Sequence, residues 1–516
     1  MNGFPHLTVL TLTPLAGAAL VAGIAASRPG LARTVGLLFS LLTLGLVLGA
    51  AAAFDTASGG MQLVERHDWV PTLGVHYFVG VDGLGMVMVL LTALLVPMAQ
   101  AVAWPVTDRV PLFHALMLAL QAGLLGTFTA LNFFHWFIFW ELSLIPAFFL
   151  IKLWGGPGRS PAATQFFLYT MGGSVTLLLA FLALFRATGS MDFLELARMA
   201  QDGELTARVA EHLTWGTIPV ERVMGWLFLG TLLAFAVKVP LVPFHTWLPG
   251  AYAEAPSAVT MLLTGVMSKM GVYGLLRLVL PIFPEQLRVW QTPLLVPAVL
   301  TVVGGAAATL AQRDLKRLLA YSSINHLGYC LLAVFVVVAG GGAEATSAHR
   351  VAALSGAVLQ MFNHGLTAAT LFAFVAFFER RCGERRGLDQ FGGLRQVAPV
   401  WAGLMGVAVF SSVGLPGLNG FVGEFLVFKG AFGLAPWAAA VSGLGLLLTA
   451  VALVRLLRRV FLGPLPEEHR GFKDLTAAER WTVGPAVGLM LLLGIVPQAL
   501  VMWFNPTILR WAEGLP

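Results

Sequence analysis

Four ionisable residues lie inside long apolar stretches of the sequence. Glu141 follows Trp140, Lys238 precedes a pair of prolines, Lys269 lies between Ser268 and Met270, and Glu424 follows a glycine-rich segment. An uncompensated charge in the middle of a bilayer costs at least about 2.5 kcal/mol. Residues of this kind are therefore candidates for carrying a proton or an ion.

Glu141 and Lys238 are the natural pair among them. Burial disfavours the charged form of a lysine, whereas a nearby carboxylate favours it. Separating the two would therefore switch the lysine from holding a proton to releasing it. The alternative is a static salt bridge that fixes helix packing. Lys269 is far from either end of its stretch, which argues against an ammonium that snorkels to the surface, and for Glu424 the alternative is a polar cap on a broken helix.

Histidines supply possible relay groups, because their ordinary pKa lies near neutrality. His326 and His364 lie inside apolar stretches beside hydroxyl or amide side chains. Either could pass a proton from Lys269 towards Glu424, or could be a hydrogen-bonded packing residue. His245 lies near the end of its stretch and is either a proton-uptake group or a cap.

The elements that must position these residues are membrane helices. Of the 516 residues, 58% are hydrophobic and 11% are charged, against about 25% charged in soluble domains. Apolar runs of roughly 18 to 25 residues match the hydrocarbon thickness of a bilayer. The sequence predicts an all-α polytopic membrane protein of about fourteen transmembrane helices. The predicted spans are 7–26, 34–54, 82–104, 111–130, 132–152, 163–186, 223–246, 255–280, 293–312, 317–340, 349–378, 401–430, 438–462 and 480–504.

Helix breakers interrupt the seventh and the twelfth predicted spans. Pro240 and Pro243 follow Lys238, and Gly414, Pro416 and Gly417 precede Glu424. Broken helices in a bilayer persist where protein or water satisfies the freed backbone groups. The two breaks are an odd number of helices apart, as expected for two inverted repeats of five helices. We expect helices 1–3 in 1–110, the first repeat in 111–280, the second in 293–462, and the last helix and tail in 463–516.

Most of the 31 Lys and Arg residues fall in loops on one side of these spans. The positive-inside rule places that side in the cytoplasm and both termini opposite. Asp314, Lys316 and Arg317 belong to one such loop, and we expect them to be solvated. The sequence lacks the nucleotide-binding and metal-binding motifs GxxxxGK[ST], CxxC and HExxH, so we expect no nucleotide, flavin or iron-sulphur cluster on this chain.

Several motifs together resemble the proton-conducting membrane subunit family, which includes the antiporter-like subunits of respiratory complex I and subunits of Mrp-type sodium/proton antiporters. The resemblance extends from about Val79 to Leu462. The motifs lie at Trp140–Leu142, Phe166–Thr170, Val239–Pro249, Ser268–Gly274, Asp314–Ser323 and Gly420–Phe425.

The resemblance implies a proton-translocating, antiporter-like membrane subunit of NADH:quinone oxidoreductase, in a bacterial inner membrane, with other membrane subunits of complex I as partners. Glu141 and Lys238 would then be the modulating pair, Lys269 the central relay, and Glu424 the terminal group. An acidic residue at this last position is typical of one complex I subunit, whereas its sister subunits usually carry lysine. FMN, iron-sulphur clusters, NADH and quinone are expected on partner subunits, and no cofactor on this chain.

This sequence departs from the family pattern at Gln165, where lysine is common, and at Gly250 and Tyr252, where an Asp-Ala-His run is common. Three alternative functions stay open. The chain could belong to an Mrp-type cation/proton antiporter, or to a hydrogenase- or ferredoxin-linked membrane complex. It could also be a structural spacer whose charges only fix packing.

Overall fold

Long apolar helices make up most of the molecule and confirm the predicted all-α polytopic class. The computed structural model describes residues 4–73, 75–214, 217–339, 344–383 and 385–515. In these ranges eleven helices are long and apolar enough to cross a membrane, and twelve if one bent pair is a single span. The short apolar helices His6–Ala22 and Pro399–Val413 account for the two remaining predicted spans.

Each predicted span coincides with an observed helix or an interrupted pair of helices. The spanning elements are His6–Ala22, Pro29–Ala52, Gly83–Val102, Val110–Thr129, Phe133–Trp154, Arg159–Thr188, Val220–Lys238, Ser257–Ile282, Gln291–Ala311, Leu315–Val336, Glu344–Cys382, Pro399–Val413, Asn419–Leu434, Pro436–Phe461, Ala477–Ile495 and Gln498–Glu513. Shorter helices are Phe193–Gln201, Glu204–Leu213, Trp247–Glu254 and Pro284–Val289.

The two predicted helix breaks are confirmed. The seventh span ends as a helix at Lys238 and resumes at Trp247. The twelfth ends at Val413 and resumes at Asn419, and Gly414 there has a φ of +79° in the left-handed region that favours glycine. The inverted relation of the two halves and the domain limits stay predictions.

The last predicted span, 480–504, was wrong as a single straight helix. Ala477–Ile495 and Gln498–Glu513 meet at an angle of 65°. Val496, the residue before Pro497, has φ −125° and ψ 66°. A residue before proline is biased away from helical geometry, which explains the position of the bend.

A two-stranded hairpin between the second and third spans was not predicted. Strands Gln62–Val70 and Val75–Val81 pair antiparallel. Arg66 on the first strand forms a 2.8 Å salt bridge with Asp192, which joins the hairpin to the connection before the seventh span. That connection contains the short helices Phe193–Gln201 and Glu204–Leu213.

Burial separates an inner group of helices from an outer one. The most apolar 18 residues of Ser257–Ile282 are all buried. In Pro29–Ala52 and in Pro436–Phe461, only a third of the corresponding 18 residues are buried. Leu315–Val336 and Thr346–Cys382 are also almost wholly buried. These three inner helices carry Lys269, His326 and His364. The outer helices present apolar side chains outward, as a surface in contact with lipid requires.

Candidate functional site

Lys269 lies at the centre of the buried helix Ser257–Ile282. The turn before it, Leu263–Met267, is a π-helix, a widened turn that recurs at functional positions. The ammonium Nζ donates to the backbone oxygen of Thr264 and lies 3.3 Å from Ser268 Oγ and 2.8 Å from His364 Nδ1. None of these partners is a carboxylate. The group is therefore hydrogen-bonded without a fixed counter-charge that would hold its proton.

The two candidate relay histidines lie between Lys269 and Glu424, with His364 beside Lys269 and His326 beside Glu424. The ring centroids of His364 and His326 are 5.0 Å apart. His326 Nδ1 lies 3.1 Å from Glu424 Oε1. Its other ring nitrogen, Nε2, lies 3.2 Å from Ser412 Oγ. The structure thus brings Lys269, His364, His326 and Glu424 into one buried row, each next to the following one.

Amide side chains that sequence reasoning missed hold the break beside Glu424. Asn363 Nδ2 donates to the backbone oxygen of Asn419 at 2.6 Å. Ser411 Oγ donates to Asn419 Oδ1 at 2.5 Å and lies 3.1 Å from Thr367 Oγ1. These bonds join both sides of the break to the long helix that carries His364.

Glu141 and Lys238 do not form the direct salt bridge considered from the sequence. Both carboxylate oxygens of Glu141 lack a hydrogen-bond partner among the described residues. The Lys238 ammonium instead lies over the ring of Trp140, 4.9 Å from its centroid, and Trp140 Nε1 donates to Ser174 Oγ at 3.0 Å. The two charges still interact electrostatically. Trp140 is thus a further member of the site, recognisable in sequence only as the neighbour of Glu141.

His245 lies in the non-helical segment between Lys238 and Trp247. Its side chain is half-buried, and its Nδ1 has no hydrogen-bond partner among the described residues. The next residue, Thr246, donates to the hydroxyl of Tyr169 at 2.8 Å. This position is compatible with proton uptake and with a helix cap, so both interpretations of His245 stay open.

The expectation that Lys316 is solvated was wrong. Its side chain is 3% exposed, and Nζ lies 3.4 Å from Glu379 Oε1. Lys316 lies in the first turn of the helix Leu315–Val336. It is buried because Glu379, near the end of the helix Glu344–Cys382, covers it. Arg317 is exposed, as expected, and Asp314 is partly exposed.

Tyr252, one of the departures from the family pattern, fills space beside the π turn. Its side chain is buried, and its hydroxyl donates to the backbone oxygen of Leu263 at 3.0 Å. Gln165 is half-buried, and a Cβ on Gly250 would lie 3.9 Å from Gln165 Oε1. The uncommon residues Gln165 and Gly250 are therefore neighbours, whereas Tyr252 faces the helix that carries Lys269.

Comparison with known proteins points to one family. Residues 130–449 match the family model described as "NADH:quinone oxidoreductase/Mrp antiporter, TM". The chain is similar to NADH-quinone oxidoreductase subunit M of Mycobacterium tuberculosis, at 35% identity over 98% of this chain and 94% of the relative. A chain of respiratory complex I from Thermus thermophilus with bound NADH has 30% identity and a TM-score of 0.84, covering 99% of this chain and 100% of its own. A chain of the Mrp complex from Dietzia shares the fold, at 21% identity and a TM-score of 0.80, over 98% of each chain.

Proposed function

The chain belongs to the NADH:quinone oxidoreductase/Mrp antiporter membrane family, and we propose that it is the proton-conducting M subunit of a bacterial NADH:quinone oxidoreductase, complex I. Quinone reduction on partner subunits supplies the energy, and this chain moves protons across the membrane. NADH, FMN, iron-sulphur clusters and quinone are bound by those partners. The other antiporter-like subunits are its neighbours in the bilayer.

The observation that carries the proposal is the buried row Lys269, His364, His326 and Glu424. Its successive members are separated by a 2.8 Å contact, a 5.0 Å spacing of ring centroids and a 3.1 Å contact. A proton held by Lys269 passes to His364, then to His326, and leaves through Glu424. Each group can lose and regain a proton, because amines, imidazoles and carboxylates all titrate.

Glu141 and Lys238 set the direction of transfer. A charge change in a neighbouring subunit alters the attraction between Glu141 and Lys238, and the proton on Lys238 then moves towards Lys269. Lys238 is held by the ring of Trp140 and not by a direct salt bridge. Small changes in the local electric field are therefore enough to shift the protonation of Lys238. The Lys- and Arg-rich loops face the cytoplasm, and both termini lie on the opposite side.

The experiment uses the intact complex, purified through a tag on this chain in mild detergent and reconstituted into vesicles. Lys269→Ala should keep the oxidation of NADH by an artificial acceptor, which reports assembly, and lose proton transport coupled to quinone reduction. Lys429→Ala is the matched control, since Lys429 is exposed on the same half-helix as Glu424. Normal transport in Lys269→Ala would refute the proposal. Sodium-dependent proton flux, with membrane partners alone and no redox activity, would identify an Mrp-type antiporter instead.

A further inference from the structure

We propose that Glu379 is the carboxylate that takes up protons from the cytoplasmic face and delivers them to Lys269, with Lys316 as its positioning residue. The inference rests on the proposed function, because it adds a second donor, besides Lys238, for the row that begins at Lys269. His245, the group considered for uptake from the sequence alone, lies at the break beside Lys238, whereas Glu379 contacts the helix that carries Lys269.

Glu379 joins solvent to the protein interior. Its side chain is 30% exposed, near the end of the helix Glu344–Cys382. Its other contacts are buried: Oε2 accepts from Ser257 Oγ at 2.7 Å, and Oε1 lies 3.4 Å from Lys316 Nζ. A carboxylate in this position can accept a proton on its exposed side and pass one to a hydroxyl on its buried side.

Lys316 is poorly placed for a purely structural role. A cation in the first turn of a helix opposes the helix dipole, and burial of its ammonium costs desolvation. Its partners are Glu379 and the backbone oxygen of Ala255, at 2.6 Å. The ammonium holds the Glu379 carboxylate in place beside Ser257. Around this pair, Arg386 lies 3.8 Å from Asp314 and donates to the backbone oxygen of Ala253.

A row of buried hydroxyls leads from Glu379 to Lys269. Ser257, Thr260, Thr264 and Ser268 are spaced three or four residues apart, so they share one face of the helix Ser257–Ile282. All are at most 3% exposed. The row spans twelve residues from Ser257 to Lys269, about 18 Å along the helix axis.

The two end members of this row of hydroxyls, Ser257 and Ser268, each contact a titratable group. Ser257 donates to Glu379, and Ser268 Oγ lies 3.3 Å from Lys269 Nζ. Between them Thr264 Oγ1 lies 3.0 Å from Ser323 Oγ, on a neighbouring helix. A hydroxyl can receive a proton on its oxygen while it releases its own hydrogen. Successive hydroxyls are one helical turn apart, about 5–6 Å, so a water molecule between each pair is needed to carry the proton on. One proton entering at Glu379 then leaves one proton on Lys269, and every hydroxyl is restored.

The test uses the reconstituted complex and measures proton transport coupled to quinone reduction. Glu379→Gln keeps the shape and an acceptor for Ser257 but cannot carry a proton, so transport should fall about tenfold or more. Glu379→Asp and Lys316→Arg should retain most of it, since carboxylate and cation remain. Glu468→Gln is the matched control, because Glu468 is exposed on the same face in a 2.7 Å salt bridge with Arg385.

Two further variants make the outcome decisive. Ser257→Ala removes the first hydroxyl without a charge change and should lower transport even if Glu379→Gln assembles poorly. The double variant Glu379→Gln/Lys269→Ala should be no worse than Lys269→Ala, because groups on one path are not additive. Transport at the Glu468→Gln level in both Glu379→Gln and Ser257→Ala, with Lys269→Ala blocked, would overturn the uptake route and leave the proposed function standing. Normal transport in Lys269→Ala would instead refute the proposed function itself.

Discussion

Replacing Gly414 by alanine would place a methyl group against the carboxylate of Glu424 without touching any titratable residue. The added Cβ would lie 2.5 Å from Glu424 Oε2. Ordinary contact requires the carboxylate to withdraw by about 1 Å. Glu424 Oε1 lies 3.1 Å from His326 Nδ1, so a shift of that size disturbs the close contact between the carboxylate and the imidazole.

The magnitude follows from the contact that is disturbed. A change from about 3 to about 4 Å in the separation of an ion pair costs on the order of 1–2 kcal/mol at an effective dielectric constant of about 20, and each 1.36 kcal/mol corresponds to about a factor of ten in rate. Because this contact stabilises the last transfer, proton transport in Gly414→Ala should fall about tenfold. Alanine at a positive φ adds a strain of about 1–2 kcal/mol, which lowers stability.

Gly417→Ala separates strain from displacement. Gly417 has a φ of +92°, comparable with +79° at Gly414, but a Cβ there would meet nothing within 4 Å. Both variants should therefore lose similar thermal stability, and only Gly414→Ala should lose proton transport by the reconstituted complex. Equal transport by the two variants would show that the contact between Glu424 and His326 does not limit transfer, and the reasoning would be refuted.

Two further substitutions test contacts outside the row. Trp140→Leu should weaken the hold on Lys238 by about 0.5–2 kcal/mol and reduce proton transport, whereas Trp140→Phe, which keeps a ring face, should retain most of it; equal transport by the two would contradict the ring contact. Glu479→Gln should lower the thermal unfolding temperature of the complex, because it weakens paired bonds of 2.9 and 2.6 Å from Arg381 worth about 2 kcal/mol. The Glu467 side chain is 87% exposed, so Glu467→Gln should leave the thermal unfolding temperature unchanged. An equal fall in this temperature in Glu479→Gln and Glu467→Gln would point to a charge effect alone.

The residues of the central row could be predicted because they are ionisable side chains within apolar stretches of sequence. Lys269 and Glu424 stand out in apolar stretches, and the Gly and Pro residues before Glu424 mark the break. The spans follow from hydropathy in the same way. A place for His326 and His364 between Lys269 and Glu424 was inferred from chemistry, whereas their order along the row comes from the observed contacts.

Contacts between residues distant in sequence could not be predicted. Lys316 looks like an ordinary loop cation, because nothing near it in the chain shows that Glu379 will cover it. That Lys238 contacts Trp140 and forms no direct salt bridge with Glu141 could not be foreseen for a similar reason: the orientation of Trp140 depends on Ser174 in another helix. The hairpin of strands Gln62–Val70 and Val75–Val81 was missed because the first strand lacks the alternation of apolar and polar residues that marks a half-buried strand.

The geometry of the site depends on the number of residues in the π turn Leu263–Met267 as well as on which residues they are. An α-helix rotates by about 100° per residue. The number of residues between Ser257 and Lys269 therefore decides whether the ammonium points towards His364. Deleting a single residue from this turn would rotate Lys269 away from His364 while leaving every side chain of the row present. Insertions and deletions at this one turn, rather than substitutions, are thus a route by which related chains could redirect a central lysine to a different acceptor.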